Sequence, residues 1–268
     1  PFDPGIPFQR DDILDRQQGF AHFGGPHILS LVTEVATRAL KAVRFQKFNV
    51  HRRLRPEAVG GRLHRMKNSP GNPTFAPFEA MCDRLTDIGL LEAVRKHNAR
   101  QNTIQDGRDQ DKELDSSYLL PMAFPEGSPM HPAYGAGHAT VAGACVTILK
   151  AFFDHRYVLP RPYVYPAPCG TFLAEAEQTP DLTIEGELNK LASNISIGRN
   201  WAGVHYFTDY SESIRLGEAV AIGIGVPGLG TAHRFVEVVA VLGGRDAVER
   251  AGLQRFNQRR GRPSRPGA

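Results

Sequence analysis

The chain has 268 residues, of which 41% are hydrophobic, so it can bury at least one sizeable core. It contains no run of about 18 apolar residues, and no membrane-spanning helix is therefore predicted. The net charge is +4, but residues 226–268 hold eight arginines against three acidic residues, a balance of +5. Subtraction leaves −1 for the rest of the chain, which gives no support to nucleic-acid binding by that part.

The first half of the chain is expected to be largely helical. Up to about residue 25 the sequence is interrupted by Pro and Gly and shows no regular period. From residue 26 the apolar residues recur at helical spacing, and the pattern continues to Arg55, where Pro56 is expected to end the helix. The segments predicted after it are a loop at 58–74, a helix at 78–96 and a polar stretch without periodicity at 97–117.

The second half alternates Pro-rich loops with helices, and strand-like alternation is scarce. The loops are predicted at 119–132 and 156–181, and the helices from about Gly137, at 184–199 and at 209–225. Thr208 and Asp209 form a predicted N-terminal cap for the last of these helices. The fold class is therefore mainly α, with long loops that can carry a site.

The composition changes after residue 225. We expect one helical domain over 1–225 and then a basic, Gly/Arg/Pro-rich tail over 226–268, to which no role is assigned. The three cysteines lie far apart and form no Cys-x-x-Cys pair, so a thiolate zinc site is not expected. Cys82 and Cys145 fall within apolar helical patterns and are predicted to be core residues.

The first of three motifs that suggest chemistry runs from Lys47 to Pro56. Lys47 and Arg55 are eight residues apart, about 80° around an ideal helix, so both lean toward one side of it. Pro56 places Arg55 at the edge of the helix, where its guanidinium can point outward. The simpler interpretation of this segment is a solvated basic face.

The second motif is Gly135-Ala136-Gly137-His138, which precedes a helical pattern. Backbone N–H groups near Gly137 can face an anion at the start of that helix, and the glycines allow a close approach. The motif is not a dinucleotide-binding fingerprint, because it lacks the later glycine and follows no strand. Taken alone, it is also compatible with an ordinary helix start that carries a histidine by chance.

The third motif contains Arg199, His205 and Asp209. On one continuous helix Arg199 and His205 would lie about 240° apart, so a break near Gly203 is needed for them to converge. Asp209 lies four residues after His205 and can hold one nitrogen of its ring. The alternative is a packed cluster of Trp and His side chains.

Together the three motifs predict an anion site. Two arginines, a lysine, a glycine-lined helix start and two histidines suit a doubly or triply charged oxyanion. No paired carboxylates accompany them, which argues against a site for a divalent cation.

These motifs resemble the signature of the vanadium-dependent haloperoxidases, whose site is shared with the PAP2-like acid phosphatases. That signature combines a Lys and an Arg-Pro, a Pro-Ser-Gly-His motif and Arg-x5-His-x3-Asp. Further stretches resemble the algal-type bromoperoxidase branch, namely 15–20, 46–48, 50–52, 55–61 and 187–192. The resemblance covers about residues 10–225 and implies a helical bundle of the haloperoxidase and acid phosphatase type.

The resemblance also implies a role for each site residue. His205 would be the axial ligand of vanadium, and Asp209 would orient its ring. His138 would act as acid and base, while His131 would lie near the halide, with Arg44 at the same entrance. The implied contacts to the oxyanion come from Lys47, Arg55, Ala136, Gly137, His138, Arg199 and His205.

The activity implied is oxidation of a halide, bromide or iodide, by hydrogen peroxide to a hypohalous-acid equivalent that halogenates organic acceptors. Vanadate would act as a Lewis acid without changing its redox state, and Lys47 would draw charge from one peroxide oxygen. Phosphate is expected to fit the same anion site. The resemblance further implies a homo-oligomer and a secreted or periplasmic location.

The chain departs from the family pattern in three respects. Ala136 stands in place of a serine, and the missing hydroxyl is expected to weaken oxyanion binding by about 0.5–3 kcal/mol. Gly135 stands in place of a proline, which is expected to loosen the loop. The algal-type members are much longer, so an N-terminal half is expected to be absent here.

Two other functions remain open at the level of sequence. The chain could be an acid phosphatase in which His205 is the nucleophile and His138 protonates the leaving group, because such an enzyme uses the same oxyanion contacts. Alternatively, it could be a non-catalytic oxyanion-binding remnant or an assembly subunit.

Overall fold

The computed structural model describes residues 24–106, 116–177 and 179–224. The helices in order are α1 (Gly25–Phe45), a π-helical turn (Gln46–His51), α2 (Pro56–Asn68), a 3-10 helix (Pro73–Phe78), α3 (Glu79–Asp87), α4 (Leu90–Asp106), α5 (Gly137–Phe152), α6 (Ile184–Trp201) and α7 (Phe207–Ile224). None of the helices in these residues is long and apolar enough to cross a membrane. The predicted mainly α fold class is confirmed.

The chain divides into two compact units. The described residues of the first unit are 24–42, 139–193 without 178, and 214–224. Its core joins three helices, through the buried residues Val35 and Ala39 of α1, Ala144, Ile148 and Phe152 of α5, and Ala221 of α7. The positions in α1 and α5 recur four residues apart, so each of these two helices contributes an apolar stripe to the core, and α7 contributes Ala221.

Helices α5 and α7 approach each other backbone to backbone within this unit. A Cβ added at Gly217 would lie 2.0 Å from the carbonyl oxygen of Thr140, and one at Gly143 would lie 2.3 Å from that of Ile214. Both distances are far below van der Waals contact. Glycine is therefore required at both positions for the helices to pack this closely.

The second unit comprises residues 43–138, of which 107–115 lie outside the description, and 194–213. Leu63, Cys82 and Leu91 form its buried core cluster, one residue each from α2, α3 and α4. The predicted burial of Cys82 is confirmed, whereas Cys145, in the first unit, is only partly buried.

The prediction of one helix from residue 26 to Arg55 is wrong. The helical backbone ends at His51, because Arg52 is left-handed with φ 45°, and Arg55 is extended. Pro56 then occupies the first turn of α2, where its missing N–H costs nothing, rather than following a helix end. Lys47 and Arg55 consequently do not share a helix, so the predicted angle of about 80° between their side chains around one helix is wrong.

The predicted loop at 58–74 is also wrong, because α2 extends through Asn68. The predicted helix at 78–96 is divided at Gly89, whose φ of +73° suits glycine and interrupts the helical backbone. Helix α4 continues to Asp106, into the stretch predicted to be without periodicity. The start of α5 at Gly137 is confirmed.

The predicted loop at 156–181 contains a small antiparallel hairpin. Strand β1 (Val164–Pro166) pairs with β2 (Leu173–Glu175), with Tyr165 opposite Ala174. Helices α6 and α7 lie close to their predicted positions, and α7 begins at Phe207, two residues before its predicted start. The predictions for the opening segment and for the tail 226–268 lie outside the described residues.

Candidate functional site

The residues predicted to form the site all belong to the second unit and lie at the ends of its elements. Lys47 lies in the π-helical turn, Arg55 directly before α2, Gly137 and His138 at the start of α5, Arg199 in the last turn of α6, and His205 two residues before α7. Helix ends leave backbone groups and side chains free to face a ligand, which is why sites occur at such places.

The Arg55 guanidinium connects two of the histidines. Its Nε donates to the carbonyl oxygen of His131 at 2.8 Å, and its Nη2 contacts Nδ1 of the same residue at 2.9 Å. Its Nη1 donates to the carbonyl oxygen of Val204 at 2.8 Å and lies 3.0 Å from His205 Nε2. The side chain is buried. Arg55 therefore fixes both imidazole rings relative to each other.

These contacts determine the tautomers of the two histidines. A guanidinium has only donors, so His205 Nε2 and His131 Nδ1 must be the unprotonated, accepting nitrogens. The proton of His205 is then on Nδ1, from which it is donated to Asp209 Oδ2 at 3.0 Å. In His131 the proton is on Nε2. His205 thus has its lone pair on the nitrogen that faces the cations, as a metal-binding imidazole requires.

Burial is the main cause that lowers the pKa of His205 to about 4; the hydrogen bond to Asp209 acts in the opposite direction, and the charge of Arg55 adds to the effect of burial. The ring is therefore neutral at pH 7. The break near Gly203 that the sequence required is present, since α6 ends at Trp201 and Gly203 has a φ of +77°.

Asp209 is a fully buried carboxylate with three donors. Its Oδ2 accepts from His205 Nδ1 and from the Tyr206 N–H at 3.1 Å, and its Oδ1 accepts from Arg53 Nη1 at 2.8 Å. Burial alone would raise its pKa, but these hydrogen bonds outweigh burial and hold the pKa below the usual range. Asp209 therefore remains ionised while it holds the His205 ring.

Lys47 is almost completely buried, and its Nζ donates to the carbonyl oxygens of Pro132 at 2.8 Å and Ala133 at 3.3 Å. Burial is the main cause that lowers its pKa to about 7, and the neighbouring charge of Arg55 adds to it, while Asp209 acts in the opposite direction. An anion placed beside this amine would favour its charged form.

Arg199 and His138 complete the predicted set of site residues. Partial burial is the main cause that lowers the pKa of His138, and the charges of Arg199 and Lys47 add to it. Arg199 Nε is shielded from solvent and has no hydrogen-bond partner among the residues that the structure describes. A buried donor of this kind requires an acceptor, and an oxyanion oxygen would supply one.

The loop before α5 is tightly packed. The Ala136 N–H donates to Ser213 Oγ at 2.7 Å, and Ala136 itself is buried. A Cβ at Gly135 would lie 2.6 Å from the same Ser213 Oγ and 3.1 Å from Val43. A residue larger than glycine would therefore collide with its neighbours at position 135, whereas the expected loosening of the loop stays a prediction.

Two residues of this network were not singled out from the sequence. Arg53 was passed over as part of the basic run before Pro56, and Ser213 has no motif of its own. The only available signal for Ser213 was its position one helical turn after Asp209, which places both on one side of α7.

These side chains are of the kinds that a small, highly charged oxyanion would need. Lys47, Arg55 and Arg199 supply positive charge, and the Asp209 carboxylate accepts a hydrogen bond from His205. The described residues contain no group of three or more His, Cys, Asp or Glu side chains that could hold a metal ion by themselves.

Several known proteins are similar to this chain in sequence. Residues 92–224 match a family described as the VCPO second helical-bundle domain. A vanadium-dependent bromoperoxidase of Corallina officinalis is 56% identical over 226 residues, which are 84% of this chain and 37% of that protein. One of Ascophyllum nodosum is 39% identical over 212 residues, or 78% of this chain and 35% of that protein.

A solved structure is also similar. It is the homohexameric second vanadate-dependent bromoperoxidase of Ascophyllum nodosum, with a TM-score of 0.61 and 35% identity over 78% of this chain and 35% of that one. The chain thus spans little more than a third of the length of these relatives. It belongs to the vanadium-dependent haloperoxidase family, as its resemblance in sequence indicated.

Proposed function

We propose that this chain forms the oxyanion-binding part of a vanadate-dependent haloperoxidase that oxidises bromide or iodide with hydrogen peroxide. The observation that carries the proposal is the neutral ring of His205, whose unprotonated Nε2 lies at the Arg55 guanidinium while its Nδ1 is held by Asp209. The relatives that match the chain are bromoperoxidases, which supports this activity over that of an acid phosphatase.

The residues present fit vanadate. His205 Nε2 would hold the vanadium, which requires Arg55 Nη1 to exchange its contact with Nε2 for one with an oxyanion oxygen. Lys47, Arg199 and the Gly137 N–H would neutralise the other oxygens, and Arg199 Nε would then gain the partner it lacks. Vanadate, when bound, supplies a Lewis acid that activates hydrogen peroxide toward a halide. Phosphate, which has a similar shape and charge, would compete for the same contacts.

The remaining residues would act on protons and on the halide. His138 is partly exposed and has a lowered pKa, so its neutral ring can accept a proton from incoming peroxide and return it later. Lys47, once charged, would stabilise negative charge on a peroxide oxygen. His131 presents its protonated Nε2 away from Arg55, and with Arg44 it would meet the approaching halide.

Two features of the whole protein are part of the proposal. Because one relative is described as homohexameric, we expect this chain also to form a homo-oligomer. We assign the site to the proposed helical domain at residues 1–225, which would correspond to the catalytic part of the longer relatives.

The test is reconstitution of the purified chain with vanadate, followed by bromination of a phenol dye in the presence of bromide and peroxide. We expect the parent to brominate the dye only when vanadate is present, and we expect His205→Ala to lose this activity. Turnover of a phosphate ester that vanadate inhibits, without halide oxidation, would indicate the phosphatase instead. Absence of vanadate and phosphate binding in calorimetry would indicate the non-catalytic remnant.

A further inference from the structure

Among the described residues, the Arg53 side chain makes no hydrogen bond to His205, His131 or Lys47, but it is linked to the site through Asp209. Its Nη1 donates to Asp209 Oδ1 at 2.8 Å and to Thr208 Oγ1 at 2.9 Å. The Arg53 side chain is 43% exposed, whereas that of Asp209 is 0% exposed. The guanidinium therefore reaches from the surface to a carboxylate in the interior.

We propose that Arg53 is a positioning residue that holds Asp209, and through it the ring of His205, in the orientation that oxyanion binding needs. This inference rests on the proposed function, because it assigns Arg53 to the same site. Arg53 is the hydrogen-bond donor to Asp209 Oδ1, the carboxylate oxygen that does not face His205.

The geometry of Asp209 explains why a second anchor matters. His205 Nδ1 and the Tyr206 N–H both bind Oδ2, so these two contacts alone leave the carboxylate free to turn about them. The hydrogen bond from Arg53 to Oδ1 stops this rotation, since both oxygens are then fixed. A ring held by a fixed carboxylate keeps its Nε2 directed at the cations, and ligand histidines depend on such outer contacts.

Arg53 is itself held by its surroundings. Its guanidinium lies 5.1 Å from the ring centroid of Tyr134 and 5.6 Å from that of Tyr206, within the range of cation–π attraction. Its carbonyl oxygen accepts from the Ala133 N–H at 2.9 Å. Tyr134 directly precedes Gly135, and Tyr206 directly follows His205. Arg53 therefore contacts the residues that adjoin both the glycine loop and the ligand histidine.

The experiment compares Arg53→Ala and Arg53→Lys with Arg52→Ala. Arg52 is the exposed neighbour and no hydrogen bond of its side chain is present in the described residues, so its removal is a control for the loss of one positive charge. Calorimetry measures the dissociation constants for vanadate and for phosphate, and thermal melting is measured without any anion. Proton NMR of the anion-free protein follows the hydrogen-bonded ring N–H of His205, assigned from its absence in His205→Gln.

We expect Arg53→Ala to weaken vanadate binding by about 10- to 100-fold, the usual effect of losing an outer contact of a ligand histidine. In this variant the ring N–H signal of His205 should shift or broaden. The melting temperature should stay close to that of the parent, in contrast to the affinity for vanadate. Arg53→Lys keeps the charge but not the fork, so it should be intermediate, and Arg52→Ala should match the parent.

Three results would overturn the inference. One is an unchanged ring N–H signal in Arg53→Ala, which needs no anion and therefore decides the matter whether or not the parent binds vanadate. Another is an equal loss of affinity in Arg52→Ala, which would reduce the effect to net charge. The third is parent-like affinity in Arg53→Ala. Failure of the parent to bind either anion would instead contradict the proposed function.

Discussion

At the scale of single residues, the site places buried positive charge around one neutral histidine. Burial is the main cause that lowers the pKa of Lys47 and of Arg55. The charge of Arg55 adds to it at Lys47 and that of Arg199 adds to it at Arg55, while the buried Asp209, which accepts hydrogen bonds from His205 and Arg53, acts in the opposite direction on both. Such an excess of like charge is costly in a folded protein unless a negative ligand is part of the functional state. The arrangement is therefore explained by oxyanion binding better than by stability.

The lowered pKa of Lys47 predicts how oxyanion binding depends on pH. Below about pH 7 the amine is charged, and above it the amine is mostly neutral. A bound anion raises this pKa, so above pH 7 binding must take up a proton and affinity falls as pH rises, by at most about tenfold per unit.

Calorimetry of phosphate or vanadate binding from about pH 6 to 9, in buffers of different ionisation enthalpy, measures this proton uptake. Lys47→Met is the matched variant, since it keeps the length of the side chain without an ionisable group and leaves only the titration of the anion itself. An identical pH slope in the parent and in Lys47→Met would show that Lys47 does not carry the effect.

Ala136 allows a direct test of the missing hydroxyl. Ala136→Ser adds a donor at the position where the family has serine, while the backbone N–H keeps its bond to Ser213 Oγ. We expect vanadate to bind more tightly by about 0.5–1.5 kcal/mol, the usual net value of one hydrogen bond. Calorimetry measures the change, and thermal melting checks that the buried hydroxyl is accommodated. Weaker binding at unchanged stability would contradict this expectation.

At the scale of elements, two helices of the first unit are held at a distance that only glycine permits. The backbones of α5 and α7 cross where Gly217 faces Thr140 and Gly143 faces Ile214. This crossing lies on the two helices whose first turns contain His138 and Asp209. Each helix therefore packs in the first unit at this crossing and carries one of the predicted site residues in its first turn.

Gly217→Ala should destabilise the protein by about 1–3 kcal/mol or more, because the added methyl group would lie 2.0 Å from the Thr140 carbonyl oxygen. Gly223→Ala on the same helix is the control, since a Cβ there meets nothing within 4 Å and should stabilise α7 by about 0.5–1 kcal/mol. Urea unfolding measures both. If the free energy of unfolding changed in the same direction in both variants, the close crossing of α5 and α7 would be refuted.

At the scale of the whole molecule, the site gathers residues from well-separated parts of the sequence. Arg55 and His205 are 150 positions apart, and Lys47 and Pro132 are 85 apart, yet both pairs are in hydrogen-bonding contact. A ligand held by such residues binds the folded chain and not the unfolded one. Oxyanion binding should therefore be linked to the stability of the fold.

Vanadate at about 100 times its dissociation constant should stabilise the parent by about 2.7 kcal/mol. Thermal melting with and without vanadate measures this, and His205→Ala, compared with itself in the same two conditions, should lose most of the increase. An equal increase in both proteins would mean that vanadate binds elsewhere.

The sequence by itself predicted the α-helical class, the start of α5 near Gly137 and the reach of Asp209 back to His205, and it required a break near Gly203 for Arg199 and His205 to converge. All of these depend on neighbours within a few residues, where backbone preference and helical spacing act directly. It misjudged the segment from Arg52 to Asn68, because a left-handed residue and a proline in the first turn of a helix appear in sequence like a helix end and a loop.

Only the tertiary structure decided the tautomers of the two histidines, the anchoring of Asp209 by Arg53 and the close fit of Gly135 against Ser213. The physical reason is that each of these depends on a hydrogen bond or a steric contact between residues more than 70 positions apart. Such contacts arise from how the helices pack, and no periodicity along the chain records them.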